Sequence, residues 1–198
     1  MKEFCLSITF ECNWDCEYCV ATTHEKEKIQ EEELLKTVNM IDNNMAVTLT
    51  GGEPGLIKKE LLDKIIIILL DKKCRIDVVT NGLFLKKFPE YYDTVEDYLY
   101  HVSIDMETPG DIIDFYNPKD KIDYMVVVTD KNMDNLEDYL NATDKYIQIH
   151  GAYTLPGKIG LSKFNTLKLI QKYKNYIKKE DLKFLISTYH ERGEEVDI

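Results

Sequence analysis

The chain has 198 residues, 44% hydrophobic and 31% charged, a composition that suits one domain with its own core and argues against disorder. Its 25 Lys and Arg stand against 36 Asp and Glu, a formal net charge of −11, which makes duplex DNA or long RNA a poor partner. The longest apolar run, Ile65 to Leu70, is too short to span a bilayer, and Met1-Lys2-Glu3-Phe4 lacks the apolar stretch of a signal peptide, so a cytoplasmic protein without membrane contact is expected.

Short β-rich runs recur along the chain at Phe4 to Phe10, Ala46 to Thr50, Arg75 to Thr80, Tyr100 to Asp105, Tyr124 to Val128 and Tyr146 to His150. Between them lie helical stretches. Glu31 to Asn43 carries Leu34, Leu35, Val38 and Ile41 at helical spacing behind an acidic first turn. Lys58 to Asp71 is a second helix, and Phe164 to Tyr176 a third, with Leu167, Leu169, Ile170 and Tyr173 on one side. Strands alternating with helices predict parallel βα units and an α/β fold. Six such units fall short of the eight in a closed barrel, which takes about 250 residues. The expected product is a partial, open (βα)6 barrel with parallel strands. It reads as one domain over 1–198, with a core at about 1–150 and a last helix and C-terminal extension over 151–198 that closes or plugs the open side. Within that extension Asp181 to His190 fits either a further strand or a plug, and the lysines Lys158, Lys163, Lys168, Lys172, Lys174, Lys178, Lys179 and Lys183 read as a solvated face, the alternative being a docking patch for an acidic electron donor or substrate.

Three of the five cysteines fall within eight residues, Cys12, Cys16 and Cys19, directly after the first strand. Clustered spacing and an odd count point to a metal site rather than a disulfide framework. Three thiolates at C-x3-C-x2-C spacing would leave one iron of a cluster open, as a reactive centre needs. With His24 the same loop also makes a Cys3His zinc set, and the loop alone leaves iron and zinc equally open. Cys5 and Cys74, at or beside strand starts, read as packed thiols.

With Tyr18 in its aromatic place, the C-x3-C-x-aromatic-C loop resembles the signature of the radical S-adenosylmethionine (SAM) superfamily. The likeness continues in order through Thr50-Gly51-Gly52-Glu53-Pro54, similar to the GGEP motif of that family, Thr80-Asn81-Gly82, and Val102-Ser103-Ile104-Asp105, each at a strand end. Zinc gives no reason for the last three motifs. The resemblance implies an oxygen-sensitive enzyme in which Cys12, Cys16 and Cys19 hold a 4Fe–4S cluster. An external donor such as a flavodoxin or ferredoxin supplies the electron, and SAM is cleaved to a 5′-deoxyadenosyl radical that takes hydrogen from a substrate. It implies SAM contacts from Tyr18, Gly51, Gly52, Glu53, Asn81, Ser103 and Asp105, with the two glycines allowing close backbone approach. The text LSITFECNWDCEYC is most similar to the branch with molybdenum-cofactor and peptide-modifying members, while the short length is similar to 7-carboxy-7-deazaguanine synthases and to activases of glycyl-radical enzymes. Val20-Ala21 departs from the former, and no cysteine follows Cys74 to hold an auxiliary cluster. A non-catalytic Fe–S or zinc binding module is the reading from another class.

Alternation along the strands divides their residues between two faces. With the apolar sets turned to the helices, the other face is lined by Ser7, Thr9, Thr48, Thr50, Ser103, Asp105, Gln148 and His150. That is polar where a packed barrel would be aliphatic. Ser7, Thr48, Gln148 and His150 are the expected contacts to a compact substrate, a small molecule or a peptide segment.

Overall fold

A computed structural model describes residues 2–19, 28–91, 101–106, 122–142, 147–152 and 160–177, with backbone alone at His101–Met106, Ile122 and Lys163. His24, Asp181 to His190 and the lysines at 158, 178, 179 and 183 lie outside the described residues, as do the side chains of Ser103 and Asp105. Six strands are present: β1 (Glu3–Thr9), β2 (Ala46–Gly51), β3 (Arg75–Thr80), β4 (His101–Met106), β5 (Ile122–Val128) and β6 (Ile147–Gly151). The helices are α1 (Glu31–Met40), α2 (Lys59–Asp71), α3 (Leu83–Lys87), α4 (Leu136–Asn141) and α5 (Lys163–Tyr173). No helix among the described residues is long and apolar enough to cross a membrane.

The chain divides into two compact units. The first holds β1, α1, β2, α2, β3, α3 and most of β4. Its strands lie in chain order β1-β2-β3-β4, all parallel. Burial follows the period-2 rule: Leu6, Ile8, Val47, Leu49, Ile76 and Val78 are buried, and the alternate Ser7, Thr9, Thr48, Thr50, Asp77 and Val79 are half-buried. The helices complete the core with Leu34 and Val38 of α1 and Leu62, Ile65, Ile66 and Leu69 of α2. Each such side chain contributes about 1.5–3 kcal/mol when fully buried, which fixes the register against a one-residue slip. The polar face is therefore the one expected from the alternation.

The helix expected to reach Asn43 ends at Met40. Ile41 turns to extended backbone (φ −64°, ψ 134°) and keeps its side chain buried. Lys72 Nζ then donates to the carbonyls of Asn39 (2.9 Å) and Ile41 (2.7 Å), taking up helix-end acceptors that the α1 sequence leaves without a cation. Cys74 is buried as expected. Cys5 is exposed, because the start of β1 leaves Glu3, Phe4 and Cys5 uncovered.

The second unit holds Cys16–Cys19, the end of β4, β5, α4, β6 and α5. β5 and β6 are parallel, with Tyr124, Val126 and Val128 beside Ile147, Ile149 and Gly151 on the fully buried face. The third helix starts one residue before the expected Phe164, at Lys163, behind the cap residue Ser162, and finishes as a 3-10 turn over Lys174–Tyr176.

Candidate active site

The cysteine loop begins where β1 stops. A bulge between Ser7 and Thr9 shifts the register so that Thr9 lies beside Gly51. Gly51 has φ +117°, a conformation that L side chains rarely adopt, and a Cβ there would strike the Thr9 carbonyl oxygen. The next two residues close on the loop itself. Gly52 N–H donates to Thr9 O at 2.7 Å and Glu53 N–H to Glu11 O at 2.8 Å, which pins the residue directly before Cys12. A Cβ on Gly52 would collide with the Glu11 carbonyl oxygen and lie 2.8 Å from the carbonyl carbon of Phe10. The glycines thus allow close backbone approach, and in this structure the approaching partner is the lead-in to the cysteine loop.

Glu53 is 1% exposed. Its Oε1 accepts from Gly55 N–H (2.7 Å), Thr80 Oγ1 (2.7 Å) and Phe84 N–H (3.0 Å), and its Oε2 from Asn81 N–H (2.8 Å). One carboxylate therefore caps two helix starts, the 3-10 turn Pro54–Leu56 and α3. Burial pushes the Glu53 carboxyl above the ordinary glutamate range, and the bonds from Asn81, Thr80, Gly55 and Phe84 pull the other way. Thr80 spends its proton on Glu53 and accepts from Gly82 N–H at 3.0 Å. Gly82, at φ 94°, makes the left-handed turn into α3. Asn81 caps Leu83 N–H through Oδ1 (3.2 Å) and donates through Nδ2 to Asn13 Oδ1 (2.9 Å), inside the cysteine loop.

Gly51, Gly52, Glu53 and Asn81 are thus brought together with the Cys12 side of the loop. Cys12 is exposed and Cys16 and Cys19 half-buried, and none of the five cysteines forms a disulfide. Trp14 N–H donates to Cys12 Sγ at 3.4 Å, and Cys19 N–H closes on Cys16 O at 2.9 Å. Three thiols of one loop are a donor set that fits an iron–sulfur cluster. Among the described residues no three His, Cys, Asp or Glu side chains are gathered closely enough to enclose a metal ion. Sites of this kind commonly close as the metal binds. Tyr18 is half-buried, and Lys131 pairs with Glu17 beside it in sequence.

On β6, Gln148 is 5% exposed and His150 half-buried. Gln148 Nε2 donates to Asp123 Oδ2 on β5 at 2.8 Å, and its Oε1 is buried with no partner among the described residues. Asp123, and on β3 the pair Arg75 Nη2 to Asp77 Oδ2 (3.0 Å), belong to the polar faces but are missing from the expected lining. The same alternation applied to β3 and β5 names both acids. Thr48 lies beside Cys5 and Asp77 in register, and Ser7 beside Thr50. A cavity of about 390 Å³ lies at the end of β1, among Ile8–Glu11, Lys28–Glu31 and Leu56–Lys58.

Known proteins resemble this chain at two levels. The family model of the Radical SAM superfamily matches residues 6–149. Curated relatives include the GTP 3′,8-cyclases of Campylobacter curvus (strain 525.92), 36% identical over 92 residues, and of Psychromonas ingrahamii (strain DSM 17664 / CCUG 51855 / 37), 35% identical over 109 residues. These matches take in 42% and 50% of this chain but only 28% and 31% of the relatives. The chain therefore spans less than a third of the curated relatives it matches. In solved structures, native anSMEcpe with bound AdoMet and Cp18Cys peptide superimposes with a TM-score of 0.59 at 16% identity, over 88% of this chain and 59% of that one. Native anSMEcpe with bound AdoMet gives 0.60 at 17% identity, over 100% and 63%. The fold is shared: α/β with parallel strands, as a barrel left open.

Proposed function

We propose, on the premise that this chain belongs to the radical SAM superfamily, that it cleaves SAM to make a carbon radical and turns that radical on a compact substrate. Membership makes it an enzyme that uses SAM and a 4Fe–4S cluster. Held by Cys12, Cys16 and Cys19, a 4Fe–4S cluster would supply the one-electron reduction of SAM, drawn from a flavodoxin- or ferredoxin-like donor, that yields methionine and a 5′-deoxyadenosyl radical able to take a hydrogen atom from the substrate. The rest is work for the chain's own residues. Cys12, Cys16 and Cys19 supply the thiolates. Gly51, Gly52 and Glu53 would hold the methionine end of SAM through their turn, Tyr18 would serve adenine, and Asn81, Ser103 and Asp105 would offer hydrogen bonds to the remaining polar groups. The carboxylate of Glu53 serves by bracing, since its oxygens are already taken by Gly55, Thr80, Asn81 and Phe84.

The observation that carries this reading is that bracing: Glu53 ties the GGEP turn, the TNG turn and the approach to Cys12 into one constellation. A zinc module of the Cys3His kind has no use for it. The substrate contacts are Ser7, Thr48, Gln148 and His150, joined by Asp123. The buried Gln148 Oε1 supports a substrate that donates a hydrogen bond. GTP, named in the curated relatives, is the first compound to assay.

The test is anaerobic reconstitution. The expected product binds about four irons, as one cubane implies, and with reductant releases 5′-deoxyadenosine from SAM. Cys12→Ala, Cys16→Ala and Cys19→Ala should each abolish the cluster, and Cys5→Ala and Cys74→Ala should keep it. Stoichiometric zinc without iron or sulfide overturns the reading. For the substrate, deuterium carried from labelled candidates into 5′-deoxyadenosine identifies the compound. His150→Ala should depress that transfer more than substrate-free release.

A further inference from the structure

We propose that Asn81 is a positioning residue for the cysteine loop, acting through Asn13 to hold Cys12 where a cluster requires it; this rests on the radical SAM reading above. Cys12 has an anchor on either side. Before it, the Glu11 carbonyl accepts from Glu53 N–H at 2.8 Å. After it, Asn13 Oδ1 accepts from Asn81 Nδ2 at 2.9 Å, a bond across 68 positions of sequence. Both anchors lead to the same residue, because Glu53, whose N–H holds Glu11, also takes Asn81 N–H on its Oε2 at 2.8 Å.

The direction of the amide is set by chemistry. Leu83 N–H can only donate, so the Asn81 end facing it at 3.2 Å is the oxygen, and the end facing Asn13 is the NH2 group. Asn81 is held at its backbone by Glu53, at its oxygen by Leu83, and through the left-handed Gly82 that follows. It cannot swing to follow a moving loop without giving up these bonds. Asn13, by contrast, is exposed, and its own side chain reaches the rest of the fold through this contact. The asymmetry makes Asn81 the post and Asn13 the tether.

The experiment uses the full reconstituted chain under anaerobic conditions, reading the first-order loss of iron to a ferrous chelator, the EPR spectrum of the reduced cluster, and the thermal midpoint of the iron-free protein. Asn81→Ser keeps an oxygen that can cap Leu83 N–H, but its side chain is too short to reach Asn13. Iron loss should quicken about three- to tenfold, as one lost hydrogen bond of ordinary strength implies, with a changed EPR spectrum and a nearly unchanged iron-free midpoint. Asn13→Ala should match it, Asn13→Asp, which keeps the acceptor, should stay near wild type, and the double variant N13A/N81S should lose iron no faster than either single one. Unchanged iron loss in Asn81→Ser, or single effects that multiply in the double variant, overturns the tether and leaves the cluster reading standing. A wild-type chain that takes up no iron overturns both.

Discussion

Two carboxylates brace strand-end turns in this chain, Glu53 after β2 and Asp130 after β5, and they do so in opposite surroundings. Each belongs to a different unit. Glu53 is buried and takes four donors, of which Phe84 N–H also reaches Thr80 Oγ1 at 3.3 Å. Asp130 is exposed; its Oδ1 accepts from Ser162 N–H at 2.7 Å and Asn165 Nδ2 at 2.9 Å, tying the turn after β5 to the cap of α5. Burial raises the Glu53 carboxyl. It also pushes on Asp130, but there the bonds from Ser162 and Asn165 outweigh it and hold the group below the usual aspartate value. The same device is indispensable where water is excluded and replaceable where water can step in. That difference separates the motif-bearing turns from the ordinary ones.

The sharpest way to break the comparison is Glu53→Ala. It orphans the buried Gly55 N–H and Thr80 hydroxyl at about 1–3 kcal/mol each, frees the part-buried Asn81 N–H and leaves Phe84 N–H with Thr80 Oγ1, so a loss of about 3 kcal/mol in urea unfolding is expected, enough to unfold a marginal domain. Glu53→Gln should cost less, since an amide keeps one accepting oxygen but turns an NH2 group on one of the remaining donors. A Glu53→Ala protein as stable as wild type would sink the bracing account. Next in size is Gly52→Ala, where the Cβ meets Glu11 backbone that is itself hydrogen-bonded; overpacking of this kind costs about 1–3 kcal/mol. Because the collision is with the lead-in to Cys12, iron content should fall along with SAM binding. Normal iron uptake with weakened SAM binding would assign Gly52 to the ligand alone.

Asp130→Asn should be milder, about 0.5–1 kcal/mol, with water taking over from the lost carboxylate. Its pH dependence is the informative part. A folded value below the ordinary 3.8 means a contribution that is complete above about 3.8 and disappears as pH falls through the folded value. The gap between wild type and Asp130→Asn should therefore close on acidification below pH 3.8. Glu53 has the other sign: its folded value lies above 4.5, so its ionisation weakens the fold as pH rises through that value. Smallest of all should be Lys172→Ala, which removes the exposed pair with Glu137 on α4 and should leave the unfolding midpoint unmoved.

Much of this was legible in the residues. Strand positions and the polar face follow from alternation, because a one-residue slip would turn Leu6, Ile8, Val47 and Leu49 to the wrong side. The motifs at strand ends follow from spacing and resemblance. What stayed out of sight was side-chain work across long sequence distances. Nothing at Asn13 signals that it meets Asn81, since the x positions of C-x3-C carry no pattern of their own. Glu53 reads equally well as a ligand contact or a brace until Thr80 and Phe84 are seen beside it. α3 and α4 are too short to show periodicity, and the early end of α1 depends on Lys72, far along the chain.

The bracing of Cys12 also sets an order of events during synthesis. Glu11 is held by the backbone of Glu53, and Glu53 by Thr80, Asn81 and Phe84, so the approach to Cys12 cannot be fixed until residues up to 84 have left the ribosome. A thiol near the start of the chain thus waits on a turn made much later. An ion that reached the thiols before residue 84 had emerged would meet a loop without that bracing.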